Sequence, residues 1–211
     1  MQLITHSLTD HRLILASSSP YRRELLKRLR IHFEIDVPDI DETALPNEKP
    51  SDTALRLAEA KARAIDSSRR DALVISADQV ATLDGRQIGK PGDHMSALRQ
   101  LCMMRGRCVD FHTALCLYDQ QNDIPRCVDV VTRVRFRSLS DIELDSYLRI
   151  EQPYDVAGSA KSEGLGIALL EEVNSDDPTA LMGLPLIALT SMLCEAGISL
   201  FNTIDTARRT R

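Results

Sequence analysis

Residues 13–30 read "LILASSSPYRRELLKRLR", and this stretch indicates how the chain begins to fold. A short, continuous apolar run predicts a strand that is buried on both faces. Ser19 followed by Pro20 is typical of a helix start, because serine caps free backbone N–H groups and proline fits the first turn. The stretch therefore predicts a strand, a short serine loop and a helix whose N-terminus could hold an anion.

The rest of the chain alternates between strand and helix patterns. "ALVISAD", Ala72 to Asp78, predicts a second buried strand, and Asp84-Gly85 predicts a hairpin directly after it. Two long strands are predicted on either side of a polar turn at residues 122–123. Further helix starts are predicted at Ser51, Asp93, Ser140 and Pro185. The order of elements predicts a mixed α/β fold with a partly parallel central sheet flanked by helices.

Composition limits the class of protein. The chain has 211 residues, 43% of them apolar and 27% charged, which is ordinary for one globular domain. A net charge of −5 argues against nucleic acid as a partner, and no stretch approaches the roughly 20 apolar residues of a membrane span. The five cysteines form no CxxC pair, and the first residues lack a signal-peptide pattern. We therefore expect a cytoplasmic protein without membrane contact, whose reduced thiols lie mostly in the core.

The serine loop is the first candidate site. Ser17, Ser19 and the free N–H groups of the helix could bind phosphate oxygens, and Arg22 could grip them with two hydrogen bonds. A plain capped helix with exposed arginines explains the same residues equally well.

Three further residues could act on a phosphate. Asp78 stands at the predicted end of a strand, where it could bind a divalent metal, activate water or simply cap the following turn. Lys61 lies at the edge of a helical apolar stripe, and Lys90 follows the hairpin in "GKP". Either lysine could neutralise phosphate charge or be an ordinary surface residue.

The segment "GSAKSEG", residues 158–164, is the last candidate. Glycines allow a backbone to approach a ligand closely. Lys161 and Glu163 would lie on the same side if this segment were extended. An ordinary flexible turn is the alternative.

Taken together, these residues resemble the Maf family of nucleotide pyrophosphatases. The resemblance covers Leu13 to about Gly197 and depends on six motifs that follow one another at the family's spacing: "LASSSPYRRELL", "DET", "LAEAKA", "SADQVATLDGRQIGKP", "AGSAKSEGLGIALLEE" and "GLPLIAL".

The resemblance implies a two-lobed α/β fold like that of the inosine-triphosphate pyrophosphatases, with the active-site cleft between the lobes. It implies hydrolysis of a nucleoside triphosphate to the monophosphate and pyrophosphate with a divalent metal, Mg²⁺ or Mn²⁺, in a homodimer. The expected domain is 13–197, with an N-terminal extension at 1–12 and a C-terminal tail at 198–211.

The resemblance also assigns roles to individual residues. Asp78 matches the residue that accepts a proton, and together with Glu42 of "DET" it would hold the metal. The phosphate site of the family is matched by Ser17, Arg22, Lys61 and Lys90.

The substrate positions resemble those of the subgroup that acts on 7-methyl-GTP. These positions are occupied by Tyr21, Gln79 and Glu163, and Lys161 is a further candidate for substrate binding. Tyr21 stands where that subgroup often has tryptophan, and Ala160 where it often has phenylalanine. N7-methylation makes guanine a cation, which an aromatic face attracts, while Glu163 could supply a counter-charge.

The expected reaction is attack of water on the α-phosphate of 7-methyl-GTP, which releases 7-methyl-GMP and pyrophosphate. Two alternatives remain open at the level of sequence. One is a pyrophosphatase for dTTP, UTP or other modified nucleotides, and the other is a nucleotide-binding regulator of septum formation.

Overall fold

A computed structural model describes residues 12–66 and 71–201, and these ranges contain a seven-stranded sheet and five α-helices. The strands are β1 Arg12–Leu15, β2 Glu34–Ile35, β3 Ala72–Leu83, β4 Arg86–Ile88, β5 Cys108–Asp119, β6 Ile124–Phe136 and β7 Leu170–Asn174. The helices are α1 Pro20–Lys27, α2 Pro50–Arg63, α3 His94–Met104, α4 Asp141–Glu151 and α5 Leu186–Glu195.

The sheet is mixed, as predicted. Its order is β2-β1-β3-β5-β6-β7, and β4 pairs with β3 beside this path. β1 runs parallel to both β2 and β3, whereas the remaining pairs are antiparallel. The parallel pairs are joined by crossovers that contain α1 and α2, since parallel neighbours cannot be linked by a tight turn.

Strand β3 passes through Asp78 instead of ending there, so the predicted strand end is wrong. The polar pair Asp78 and Gln79 interrupts the apolar run in sequence, but pairing with β5 on both sides of them continues the strand to Leu83. On the other edge, β1 pairs with residues 72–75 and β4 with residues 81–83. Among the described strands, residues 76–80 therefore pair only with β5, and Asp78 and Gln79 lie at this open edge.

The side chains of β3 alternate between the two faces of the sheet and contribute to three apolar clusters. On one face, Ile75 belongs to a cluster packed by α1 and α5, and Ala81 to a second cluster packed by α3 and α4. Gln79 and Thr113 lie between these two clusters and form a polar seam on the same face. The opposite face packs against α2. The described fold thus has two apolar bodies along one sheet, separated by polar side chains.

Most helix starts are as predicted, with one exception. Side chains cap the three helices that follow Ser19, Asp93 and Ser140, and Pro185 directly precedes α5. The prediction that Ser51 caps α2 is wrong, because the helix begins at Pro50. Proline fits the first turn of a helix. The Thr53 hydroxyl in this turn donates to Oε2 of Glu48, which precedes the helix, with 2.9 Å between the two oxygens.

The cysteine prediction is only partly correct. All five are free thiols, but Cys116 is the one that is buried. Cys108, Cys127 and Cys194 are exposed, so the expectation that most cysteines lie in the core is wrong. Cys108 is the first residue of β5, and Cys127 lies on β6. Both side chains are exposed to solvent.

The predicted terminal segments lie largely outside the described residues. Of the extension 1–12, Arg12 is described and opens β1. Of the tail 198–211, residues 198–201 are described, and Ile198 and Leu200 pack into the cluster around Ile75. Across the described ranges, every helix lacks the combination of length and apolar character that crossing a bilayer requires.

Candidate active site

A cleft of about 580 Å³ opens at the exposed edge of β3. Its walls come from the start of α1, the middle of β3, α2, the segment after β4 and the loops that contain residues 155–163 and 181–183. Nine of the ten residues to which the family resemblance assigns a role lie in these walls: Ser17, Tyr21, Arg22, Glu42, Lys61, Asp78, Gln79, Lys90 and Glu163. Ser19 lies there as well. Lys161 is not part of the lining, but its Nζ lies 5.4 Å from the centre of the Tyr21 ring.

The serine loop forms one end of the cleft and is held by Arg22. The Ser17 hydroxyl oxygen accepts hydrogen bonds from the Ser19 backbone N–H at 3.2 Å and from Arg22 Nη1 at 3.4 Å. Arg22 Nε also donates to the Gly183 carbonyl at 2.8 Å, which ties α1 to the approach of α5. Burial lowers the pKa of Arg22, and the negative charges of Asp78 and Glu42 oppose that shift. The guanidinium nevertheless stays charged, because arginine is not deprotonated in proteins.

Lys61 joins two carboxylates at the centre of the cleft. Its Nζ lies 2.6 Å from Asp78 Oδ1 and 2.6 Å from Glu42 Oε1. Packing of α2 on the sheet places this lysine over β3, where Lys61 is 8% and Asp78 7% exposed. A buried ammonium needs charged partners, so the three groups form one structural unit.

Glu42 is the most exposed member of this unit, with 53% of its side chain accessible. Partial burial acts to raise its pKa, but the hydrogen bond from Lys61 and the charges of Lys61, Lys90 and Arg22 outweigh that effect. Its pKa therefore lies below the usual glutamate value, and the carboxylate is ionised at neutral pH. The loop between β2 and α2 thus contributes a permanent negative charge to the cleft.

The donor set fits a divalent metal that phosphate oxygens help to hold. Asp78 and Glu42 contact one ammonium and are therefore close enough to share a cation. Within the described ranges, groups of three or more histidine, cysteine or carboxylate side chains placed for a metal are absent. Mg²⁺ is often held by one or two carboxylates together with substrate phosphates, so two carboxylates suffice.

Gln79 also lines the cleft, and it projects from the opposite face of β3 to Asp78. Its Nε2 donates to Thr113 Oγ1 at 2.9 Å and to the carbonyls of Ala180 and Leu181, each at 3.1 Å. Carbonyl oxygens only accept hydrogen bonds, so these contacts fix which end of the amide is the nitrogen. The Oε1 atom of Gln79 is therefore the acceptor that remains for a ligand. The lining of the cleft also contains apolar residues: Phe111, Ala157, Ala160, Leu181 and Met182.

Lys161 and Glu163 do not share one side, because residues 161–164 form a turn and not an extended segment. Glu163 lines the cleft, while Lys161 Nζ lies 3.1 Å from Glu151 Oε1 and 5.4 Å from the centre of the Tyr21 ring. The Tyr21 side chain and the Glu151 carboxylate both raise the pKa of Lys161. Sequence reasoning missed Glu151, which ends α4 ten positions before the lysine and has no local signal.

Asp177 is a second residue that the sequence analysis did not single out. It is buried, and its carboxylate accepts N–H groups of Thr179 at 3.1 Å, Ile187 at 2.7 Å and Ala188 at 3.2 Å. These bonds hold the start of α5 and the turn at 180–183, which contacts both Arg22 and Gln79. The sequence "DDPT" before an apolar helix is a signal that would have found it.

Known proteins resemble this chain over most of its length. The family model described as "Maf-like protein" matches residues 12–196. A protein from Burkholderia pseudomallei strain 1710b is 66% identical over 199 residues, which cover 93% of either chain. A protein from Ralstonia nicotianae is 67% identical over 189 residues, 90% of this chain and 97% of its own. Both relatives are named 7-methyl-GTP pyrophosphatase, and together with the family model they confirm the family predicted from the motifs.

The fold also has a solved counterpart. The structure of a HAM1 protein from Coxiella burnetii superposes with a TM-score of 0.50 at 16% identity, and the match covers 88% of this chain and 99% of that protein. The likeness supports the α/β architecture alone.

Proposed function

The chain belongs to the Maf family, and we propose that it hydrolyses 7-methyl-GTP to 7-methyl-GMP and pyrophosphate. The observation that carries this proposal is a cleft with two chemically different sides. One set consists of charged residues that interact with one another and that we take as the charged side: Arg22, Lys61, Lys90, Asp78 and Glu42. We assign Tyr21, Gln79 and Glu163, which also line the cleft, to the second side. Relatives that are 66–67% identical over at least 90% of this chain bear the name of this activity.

The charged side suits a triphosphate. Arg22, Lys61 and Lys90 provide three positive charges, and the start of α1, the positive end of the helix dipole, lies in the same wall. A polyphosphate repels an attacking nucleophile, and it gains further charge on the leaving group as the bond to the α-phosphorus breaks. Cations placed beforehand stabilise that developing charge, which is often the largest contribution to catalysis.

Asp78 is the proposed base. Water forms a bond from its oxygen to the α-phosphorus, the bond to the β-phosphate oxygen breaks, and pyrophosphate leaves with the electron pair. The water proton passes to the Asp78 carboxylate, whose Oδ1 is held by Lys61 at 2.6 Å. Lys61 thus fixes the direction of the carboxylate while a second oxygen remains to accept the proton.

Asp78 and Glu42 are the residues that would hold a divalent cation, Mg²⁺ or Mn²⁺. When bound, such an ion neutralises charge on the phosphates and lowers the pKa of a coordinated water. Full activity is expected only after the purified protein has been supplied with one of these ions, and removal by a chelator tests this requirement.

The second side suits a methylated purine. A cation over an aromatic face is stabilised by about 0.5–2 kcal/mol, and Tyr21 offers such a face to N7-methylguanine. Glu163 and Gln79 Oε1 are acceptors for the N1–H and the amino group of guanine. Uracil and thymine carry no positive charge and no such pair of donors on one edge, so these side chains favour the methylated purine.

A substrate panel tests the assignment. Pyrophosphate release is measured with Mg²⁺ or Mn²⁺ for 7-methyl-GTP, GTP, UTP and dTTP. We expect the highest kcat/KM for 7-methyl-GTP. Faster hydrolysis of UTP or dTTP would mean that the protein is a pyrimidine nucleotide pyrophosphatase. Binding of nucleotides without turnover would favour a regulatory protein.

We also propose a homodimer, as the family resemblance implies, and a cytoplasmic location, as the five unpaired cysteines of the sequence favour. Light scattering coupled to gel filtration measures the mass against the 23.5 kDa of one chain. Cell fractionation tests the compartment.

A further inference from the structure

We propose that Glu151 is a positioning residue for substrate choice, because its carboxylate neutralises Lys161 behind Tyr21 and so allows the tyrosine to accept a positively charged base. The inference deepens the proposed function and rests on it. It concerns a residue outside the cleft wall.

The contacts form a chain of three side chains. Glu151 Oε1 lies 3.1 Å from Lys161 Nζ, and this ammonium lies 5.4 Å from the centre of the Tyr21 ring. Lys161 is 26% and Glu151 15% exposed at the side chain, so neither group is freely solvated. The pair is therefore screened much less than an ordinary surface ion pair.

The backbone around the pair is tightly fixed. Glu151 Oε2 accepts the Leu165 N–H at 3.0 Å, and the Tyr147 hydroxyl accepts the Lys161 N–H at 3.1 Å. A Cβ at Gly164 would stand 2.7 Å from Glu151 Oε1, and a Cβ at Gly166 would stand 2.5 Å from the backbone nitrogen of Lys161. Backbone atoms cannot move aside easily, so Gly166 must be glycine for the chain to pass this close to Lys161, whereas a side chain at Gly164 would displace the Glu151 carboxylate.

The electrostatic consequence depends on the charge of the base. An aromatic ring has two faces, and Lys161 occupies one of them, which leaves the other face for a ligand. An unpaired ammonium there would repel a second cation across the ring, whereas Glu151 converts it into a neutral pair. Neutral guanine carries no net charge and is much less affected. Glu151 should therefore matter for N7-methylated guanine more than for guanine itself.

The net charge near the base follows the same logic. Glu151 and Glu163 carry two negative charges and Lys161 one positive charge, so the three groups together carry −1. Glu151→Gln makes the sum zero, and Lys161→Gln makes it −2. The two substitutions should shift the preference for a cationic base in opposite directions.

The experiment compares the kcat/KM for 7-methyl-GTP with that for GTP. Glutamine keeps the shape of Glu151 and an oxygen for the Leu165 N–H, so only the charge is removed. We expect Glu151→Gln to lower the 7-methyl-GTP to GTP ratio by about 3- to 10-fold, in the range of a cation–aromatic interaction. Lys161→Gln should raise the ratio, and the double variant should return it towards the wild-type value. Inhibition constants of 7-methyl-GMP and GMP give the same ratio if GTP turnover is too slow.

Each outcome decides between the two proposals. A purely structural role for Glu151 predicts that kcat/KM falls equally for both nucleotides and that the melting temperature falls. It also predicts that the double variant is less active than either single variant. This pattern would overturn the inference. If Glu151→Gln fails to fold, Lys161→Gln alone decides the matter, because an unchanged ratio contradicts the mechanism. Wild-type protein that does not prefer 7-methyl-GTP overturns the proposed function itself, and the two failures are thus distinguishable.

Discussion

The two sides of the cleft are built in different ways. The phosphate side consists of charged groups on packed elements: α1, α2 and β3 position Arg22, Lys61 and Asp78 through buried contacts. The base side consists of Tyr21 and Gln79 on packed elements, closed by a loop that brings Glu163. Electrostatics common to all nucleotides are thus built into the sheet and helices, whereas selection between nucleotides depends on a loop as well as on these elements. Substitutions on the first side should affect every substrate, and those on the second should change ratios between substrates.

Asp78→Asn should have the largest effect on the phosphate side. Asparagine can still accept the hydrogen bond from Lys61, but it is a far weaker proton acceptor than a carboxylate. We expect kcat to fall by about 10²–10⁴-fold on every nucleotide, which steady-state pyrophosphate release measures. Glu163→Gln is the matched change from carboxyl to amide on the base side. Retained turnover in Asp78→Asn, or a loss confined to 7-methyl-GTP, would remove the distinction between the two sides.

Tyr21→Arg combined with Glu163→Gln should change selectivity and not general catalysis. The arginine repels the cationic base, and the glutamine removes a negative charge that attracts it. We expect kcat/KM for 7-methyl-GTP to fall by about tenfold or more relative to GTP. Glu171→Gln, an exposed glutamate on β7, is the control. An equal loss on all nucleotides would mean that Tyr21 supports the serine loop and does not select the base.

Asp177→Asn tests the turn that both sides share. The substitution weakens a set of four hydrogen bonds to a buried carboxylate, so we expect unfolding to become easier by about 1–3 kcal/mol. Denaturant unfolding measures this, and Asp176→Asn at the exposed neighbour is the control. Because the turn binds Arg22 and Gln79, activity on every nucleotide should fall together. An unchanged midpoint would show that the turn holds without this carboxylate.

The smallest effect is expected at Glu48, which supports the loop that carries Glu42. The hydrogen bond from Arg56 lowers the pKa of Glu48 from 4.5 to about 2. A carboxylate with a lowered pKa stabilises the fold fully above pH 4.5, and this contribution disappears as the pH falls towards 2.

Glu48→Gln should therefore reduce the melting temperature slightly at pH 6, and the difference from wild type should shrink at pH 3. Glu59→Gln is the matched control, since Glu59 also pairs with an arginine on α2. A difference that stays constant with pH would assign the effect to packing and not to charge.

Local signals in the sequence predict much of this molecule. Ser19 before Pro20 marks a helix start by chemistry that acts within one turn, and the capping box at Ser140 and Glu143 is equally local. The six motifs predicted the family and nine residues that now lie in one cleft, because each motif keeps its own order and spacing. Their individual roles stay predictions.

Long-range contacts explain what the sequence did not predict. The apolar run predicts that a strand ends at Asp78, but pairing with β5 and β4 continues that strand to Leu83. Glu151 reaches Lys161 only because the turn at 164–166 folds back on α4. Neither contact leaves a periodic pattern, since each joins segments whose separation is set by the whole fold.

The adjacency of Asp78 and Gln79 on one open strand edge limits how this cleft can change. Successive residues of a strand project to opposite faces, so a single peptide bond joins the group proposed for the reaction to one proposed for base recognition. Deletion or insertion of one residue here would exchange the faces of every side chain that follows along the strand. New substrates are therefore accessible by replacement of single side chains, whereas changes in strand length would disable the reaction. An engineer who wishes to redirect this enzyme should vary the loop at 157–163 and leave the length of β3 untouched.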